Sequence, residues 1–209
     1  MKKTKKTKKE TNITKPIIYV AIALIIILLT ITIIISPDTE EKNYEVYNGY
    51  IFKKVDGFDN VWETEVKIGE VDERLELRYH PLDLEHIEFN EIISQYFYVS
   101  QLSNGQVTVS ITKEIYSLES GRVSLAGFDL ARVLRSYFGY QIKTSVEDSE
   151  EYEWITCEDA TAENLVVMFK KGEKRIEAES FCVKLYFEDP DDSIKLVSLL
   201  LYNLLGIMG

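Results

Sequence analysis

Residues 17–35 form a run of nineteen without a charge, ten of them isoleucine, and seven lysines precede it. Wound into a helix at about 1.5 Å rise per residue, such a run measures roughly 28 Å, close to the hydrocarbon thickness of a bilayer. Everything after it is then read as tethered. A cleaved signal peptide would share the basic start, but with a shorter apolar core and two small residues before the cleavage point. Ser36 is small, whereas Ile34 stands where the second small residue belongs. The expectation is an uncleaved signal anchor over residues 17–36, with the lipid bilayer as its partner through residues 17–35.

Lysine placement sets the orientation. Residues 1–16 carry Lys2, Lys3, Lys5, Lys6, Lys8, Lys9 and Lys15 against the single acid Glu10, while the far flank begins with Asp38, Glu40 and Glu41. Basic residues stay on the cytoplasmic side, so the amino terminus is expected inside and residues 37–209 outside, in a single-pass cell-membrane protein. The linker, residues 37–43, reaches about 20 Å at full extension, which keeps the following domain near the membrane.

Beyond the tail the chain holds 17 basic and 34 acidic residues, a net charge of -17 hidden by the whole-chain value of -11. A surface of that sign repels nucleic acid, which is excluded as a partner. The length suffices for one domain with a real core. Two cysteines, Cys157 and Cys182, both follow the span. In an extracytoplasmic compartment a pair reads as a disulfide, with two buried free thiols or a metal site as the alternatives.

From Tyr44 the pattern turns to short strands. Residues 44–47 and 50–55 flank Asn48-Gly49, a hairpin signature. Asp56-Gly57 and Gly69-Glu70 continue the series, and in residues 61–68 Trp62, Thr64, Val66 and Ile68 alternate with Glu63, Glu65 and Lys67. Leu75, Leu77 and Tyr79 alternate likewise, which predicts an antiparallel meander with one wet face. Residues 82–93 fit a loop or a short helix. Residues 96–102 and 107–112 read as strands joined across Asn104-Gly105. Residues 122–138 carry Val123, Ala126, Leu130, Val133, Leu134 and Tyr137 at helical spacing, closed by Gly139. Residues 141–146 read as a strand, 154–157 as a short one and 165–170 as a clearer one, and Lys171-Gly172 turns into 175–187. Asp189-Pro190 caps a final helix, residues 190–205, that is apolar on nearly every side.

The expected fold class is therefore α+β: an N-terminal transmembrane helix, a linker, and an extracytoplasmic domain over residues 44–209. Within that domain, residues 44–102 form the meander portion and residues 103–209 a β-α-β-β-β-α portion stapled by Cys157 and Cys182.

Chemistry-bearing motifs are sparse. His80 and His86 flank Asp83 and Glu85, but their spacing of six matches neither a helical zinc pair nor a finger, and the plain reading is a surface loop. Ser110-Ile-Thr-Lys113 matches the S-x-x-K pattern of serine acyl-enzymes without the S-D-N and K-T-G elements that accompany it. Glu188, Asp189, Asp191 and Asp192 lack calcium-loop spacing and suit helix capping. No phosphate loop or dinucleotide fingerprint occurs, so no catalytic residue, cofactor or metal is assigned. Tyr44, Tyr47, Tyr50 and Phe52 in the first hairpin suit either cross-strand packing or a recognition patch.

The basic tail with its isoleucine-rich anchor, the Y-N-G-Y-x-F hairpin, the I-T-C-E-D segment, the F-C-V strand and the closing L-L-G-I-M resemble single-span extracytoplasmic proteins of small-genome archaea. That resemblance implies the layout and brings no activity with it. The function expected is a membrane-anchored binding or assembly module that uses its sheet or its apolar last helix to hold a protein partner, with Leu196, Leu199, Leu200 and Leu204 as the candidate interface. The alternatives are a cell-envelope hydrolase using carboxylate or metal chemistry, and a pilin-like filament subunit. Against the last, no processing site precedes Ile17, and strands begin within a few residues of the span.

Overall fold

The structure, a computed structural model, describes residues 44–209 except Asp59, Asn104 and Glu119. The expected tail, membrane span and linker lie outside the described residues. Among the described residues, no helix is long and apolar enough to cross a membrane.

The first sheet is the expected meander: β1 (Tyr44–Tyr47), β2 (Tyr50–Lys54), β3 (Trp62–Ile68) and β4 (Val71–Leu77), antiparallel in that order. The turn at Asn48-Gly49 has φ of 47° and 85°, the left-handed pair a two-residue hairpin requires. Phe52, Thr64, Val66, Leu75 and Leu77 are buried on one face, while Glu63, Glu65 and Lys67 alternate with them in the sequence.

The second sheet has five strands, β5 (Gln106–Ile111), β6 (Gln141–Val146), β7 (Asn164–Lys171), β8 (Arg175–Glu179) and β9 (Cys182–Phe187), in the order β6-β5-β7-β9-β8. The first four in that order run parallel, and β8 closes the edge antiparallel to β9. Four helices accompany these strands: α1 (Ile92–Leu102), α2 (Lys113–Leu118), α3 (Ser120–Phe138) and α4 (Pro190–Leu204). The domain is thus mixed α+β, one antiparallel sheet and one mixed sheet.

The two faces of the five-stranded sheet have different cover. Leu165, Val167, Phe169, Val183, Leu185 and Phe187 belong to the main core, together with Val123, Leu130 and Leu134 of α3 and Leu196, Val197, Leu200 and Leu201 of α4. Val166, Met168 and Cys182 point the other way and pack against Trp154, Ile155 and Cys157. So the β5-to-β6 connection crosses by helices on one side, and the β6-to-β7 connection, residues 147–163, crosses on the other. The Cys157–Cys182 disulfide joins this crossover to β9, closing a separation of 25 residues.

The meander packs on the helical layer from its opposite side. Arg78 Nε donates to Asp129 Oδ2 of α3 at 3.0 Å, Arg132 Nη2 to the Glu76 carbonyl at 2.6 Å, and Tyr202 Oη of α4 to the Tyr79 carbonyl at 2.8 Å. Helix α4 is therefore walled in by both sheets. This is why it is apolar all round, and it corrects the interface expectation: Leu196, Leu199 and Leu200 are 0–1 % exposed and Leu204 is half-buried. Leu196, Leu199 and Leu200 hold the domain together and are not presented to a partner.

Three local expectations change. Residues 96–102, aromatic-rich and expected as a strand, belong to α1, whose buried Ile93, Phe97 and Ser100 fall at i, i+4 and i+7. Gly105 follows it where a Cβ would run into the Ser100 carbonyl, so the glycine allows the chain to turn directly from α1 into β5. Residues 154–157 form no strand: the backbone of Ile155 is met by serine side chains, and a 3-10 turn, Cys157–Asp159, follows. Residues 175–187 are two strands, β8 and β9, turned at Ser180 and Phe181 with φ of 46° and 66°, positions that carry no glycine to announce them.

Candidate functional site

His80 is buried at 2 % exposure, not placed on a surface loop, whereas His86 is exposed. The His80 ring stands 4.8 Å from Phe52, 4.7 Å from Trp62 and 6.3 Å from Tyr47, centroid to centroid. Its Nδ1 accepts from the Leu82 amide at 3.3 Å, which places the proton of the neutral ring on Nε2, and Nε2 has no partner. Burial pushes the imidazole below its usual range, against the pull of Glu45 and Asp83. A histidine held neutral in an aromatic cage caps a short turn and packs the meander. Among the described residues no three His, Cys, Asp or Glu side chains group as metal ligands would.

Ser110 and Lys113 do not form a nucleophile and base. The Ser110 hydroxyl is buried and donates to the Ile155 carbonyl at 2.7 Å. Lys113 points to solvent and pairs with Asp148 at 2.7 Å. At the start of α2, Glu147 Oε2 accepts from the Lys113 amide at 2.9 Å. The chain's own carboxylate thus takes the place in which α/β proteins receive a phosphate. Of the acids around the last helix, Asp189 caps it, accepting from the Asp191 amide at 2.9 Å, and Asp192 pairs with Lys195 at 2.7 Å. Asp129 is buried between Arg78 and Arg132, and burial pushes its carboxyl above the usual range despite both cations. It clamps α3 to the meander.

No protein-family model matches the chain, nor does any curated protein or solved structure.

The meander offers a candidate site. Strand β3 pairs with β4 along its whole length, from Trp62↔Leu77 to Ile68↔Val71. Against β2 its register holds only Lys53↔Glu63 and Lys54↔Trp62, and there the two hairpins part. Tyr50, Ile51 and Lys53 line one side of the resulting cleft and Thr64, Glu65 and Lys67 the other, around a volume of about 420 Å³. Thr64 is 3 % exposed, and its Oγ1 has no hydrogen-bond partner. Buried hydroxyls are rarely left so. Beside the cleft the register pair Val46↔Ile51 presents two aliphatic side chains, 61 % and 55 % exposed, and Tyr44 is 45 % exposed.

The hairpin's aromatics, which stand out in the sequence, are not what forms this arrangement. Phe52 and Tyr47 turn inward to the His80 cage; it is the aliphatic pair that faces out. The signal was available in Val46 and Ile51, apolar residues at outward positions. The parting of β2 from β3 leaves no trace in periodicity.

Proposed function

We propose that the protein is a membrane-anchored extracytoplasmic binding module that holds an extended stretch of another polypeptide in the cleft between its two N-terminal hairpins. The observation that carries this reading is the break in the β2–β3 ladder after Lys53↔Glu63. Two strand edges face each other there with unmet ladder positions, and an added strand satisfies such edges through its main chain. Val46 and Ile51 supply apolar contact for alternate side chains of the guest. Lys53 and Lys67 oppose Glu63, Glu65 and Asp72 around the rim, and Arg74 pairs with Glu63, so the site favours a guest of no strong net charge. The charge-free run of residues 17–35 and the lysines before it support the anchor and its orientation.

Two experiments test the two parts. Alkaline extraction should leave the chain with the membrane, and external protease should reach residues 44–209 but not residues 1–16. For the cleft, peptides are selected from a random-sequence display library on the full-length protein in bilayer nanodiscs. The expected result is that Val46→Asp and Ile51→Asp each weaken the selected peptides at least tenfold, about 1.4 kcal/mol. Leu102→Asp, at a 70 % exposed position on α1, should leave binding unchanged. Equal loss at Leu102, or none at Ile51, contradicts the reading.

A further inference from the structure

A second site lies on the other sheet. The parallel strands β6, β5, β7 and β9 send their connections to opposite faces: α2 and α3 follow β5 on the helical side, and residues 147–163 follow β6 on the other. In open α/β sheets the crevice at the carboxyl ends of the strands, where connections diverge, is where ligands settle. Here that place holds a cavity of about 410 Å³, whose wall takes in Thr112 after β5, Glu147 after β6 and Lys170 near the end of β7. The volume falls in the range of small-molecule sites.

Its roof is fixed. The crossover is pinned to β9 by Cys157–Cys182 and to β5 and β6 by Ser110 and Ser145, which bond both backbone groups of Ile155 at 2.7 Å. Thr156 and Asp159 close a reciprocal capping box in the turn that follows. A segment held at so many points leaves a preformed space, and preformed walls lower the ordering cost of binding.

Its chemistry is two-sided. Met168 and Trp154 give an apolar surface, Met168 almost wholly buried. Lys170 and Lys184 come from neighbouring strands on the same face, the register pairing Met168 with Lys184 and Lys170 with Tyr186. They are diagonal neighbours of like charge, an arrangement that repels unless an anion sits between them. Lys184 meets the exposed Glu179 at 3.5 Å, and Lys170 stands over the Tyr186 ring at 5.7 Å. A long surface pair of that kind contributes little and is easily exchanged. Glu147 and Glu158 stand in the same wall, Glu147 Oε2 accepting from the Lys113 amide at 2.9 Å, so the two ammonium groups beside the tryptophan are the part of the cavity that can receive an anion.

We infer that this cavity binds a small organic carboxylate with an aromatic or branched apolar body, the carboxylate on Lys170 and Lys184 and the body against Trp154 and Met168. The site stands apart from the hairpin cleft, so the proposal holds or fails independently of it.

The chain has two tryptophans, so Trp62→Phe makes Trp154 the sole indole reporter. In that background the full-length protein in nanodiscs is titrated with phenylacetate, 3-phenylpropionate and isovalerate to about 10 mM, and with phenylacetamide as the uncharged isostere. The expected result is a saturable change in Trp154 emission and a raised unfolding midpoint with at least one carboxylate. The amide should bind at least tenfold more weakly, and Lys170→Met with Lys184→Met should weaken the carboxylate at least tenfold while the unliganded spectrum stays unchanged. No saturable response from any of the three carboxylates overturns the proposal. So does equal binding of the amide, or binding unaltered by the lysine substitutions.

Discussion

Ser110 and Ser145 stand side by side on parallel β5 and β6 and together hold one residue of the crossover: Ser145 Oγ accepts from the Ile155 amide, and Ser110 Oγ donates to the Ile155 carbonyl, each at 2.7 Å. The two hydroxyls do for Ile155 what a neighbouring strand would do through its backbone. Residues 147–163 can therefore cross the sheet without forming a strand of their own. Both serines are fully buried, so neither bond is easily replaced by water.

Ser145→Ala leaves a buried amide unmet and Ser110→Ala leaves a buried carbonyl unmet. Each should lower stability by about 1–3 kcal/mol, the usual cost of a buried polar group without a partner. Both bonds fix the same residue, so the double variant should lose less than the sum. Urea denaturation of the four members of the cycle measures this, and strict additivity would mean that the serines act separately.

The disulfide pins the same crossover from its other end. Closing a loop of 25 residues should stabilise by about 3.5 kcal/mol on the chain-entropy model. The Cys157→Ala, Cys182→Ala pair should therefore unfold at a lower denaturant concentration than the oxidised protein. The protein treated with reductant should match that pair.

Protonation of His80 should destabilise the fold. Burial holds its folded pKa below the ordinary 6.5, so the unfolded chain binds the proton more readily. The stability from the neutral ring is present above pH 6.5 and is lost as the pH falls below it toward the folded value. His86 is exposed, which leaves His80 as the buried imidazole of the two. Unfolding midpoints of the wild type should drop between about pH 7.5 and 5.5, and His80→Leu should flatten that part of the profile. An unchanged slope in the variant would assign the effect to another group.

Much of the fold was legible because local chemistry and tertiary structure agree. Alternation placed the meander, Asn48-Gly49 its first turn, the apolar spacing of Val123 through Leu134 the long helix, and Asp189-Pro190 the start of the last one. What escaped was decided at longer range. Aromatic residues 96–98 suit a strand, yet the burial of Ile93 and Phe97 on one helical face wins. The apolarity of α4 was visible, but its cause was not, because a sequence does not say that a second sheet lies across the helix. The candidate sites were the least legible. The hairpin cleft depends on where a ladder stops, and the second cavity on a crossover held by Ser110, which in the sequence reads as part of an S-x-x-K motif, and by Ser145, which belongs to no motif.

The burial of α4 makes a contrast that separates packing from recognition. Leu200→Ala, at a fully buried position, should cost about 2–5 kcal/mol by calorimetry or denaturation. Leu102→Ala on the surface of α1 should stay within about 0.5 kcal/mol of wild type.

The central claim, that the parted edges of β2 and β3 receive an extended chain, is tested most directly by hydrogen exchange on the full-length protein in nanodiscs with and without a display-selected peptide. The account predicts that free protein exchanges readily within Tyr50–Lys54 and Trp62–Ile68, and that the peptide slows both segments together while the amides of β5, β7 and β9 stay as they were. Protection of one segment without the other, or protection confined to a different part of the domain, would contradict it.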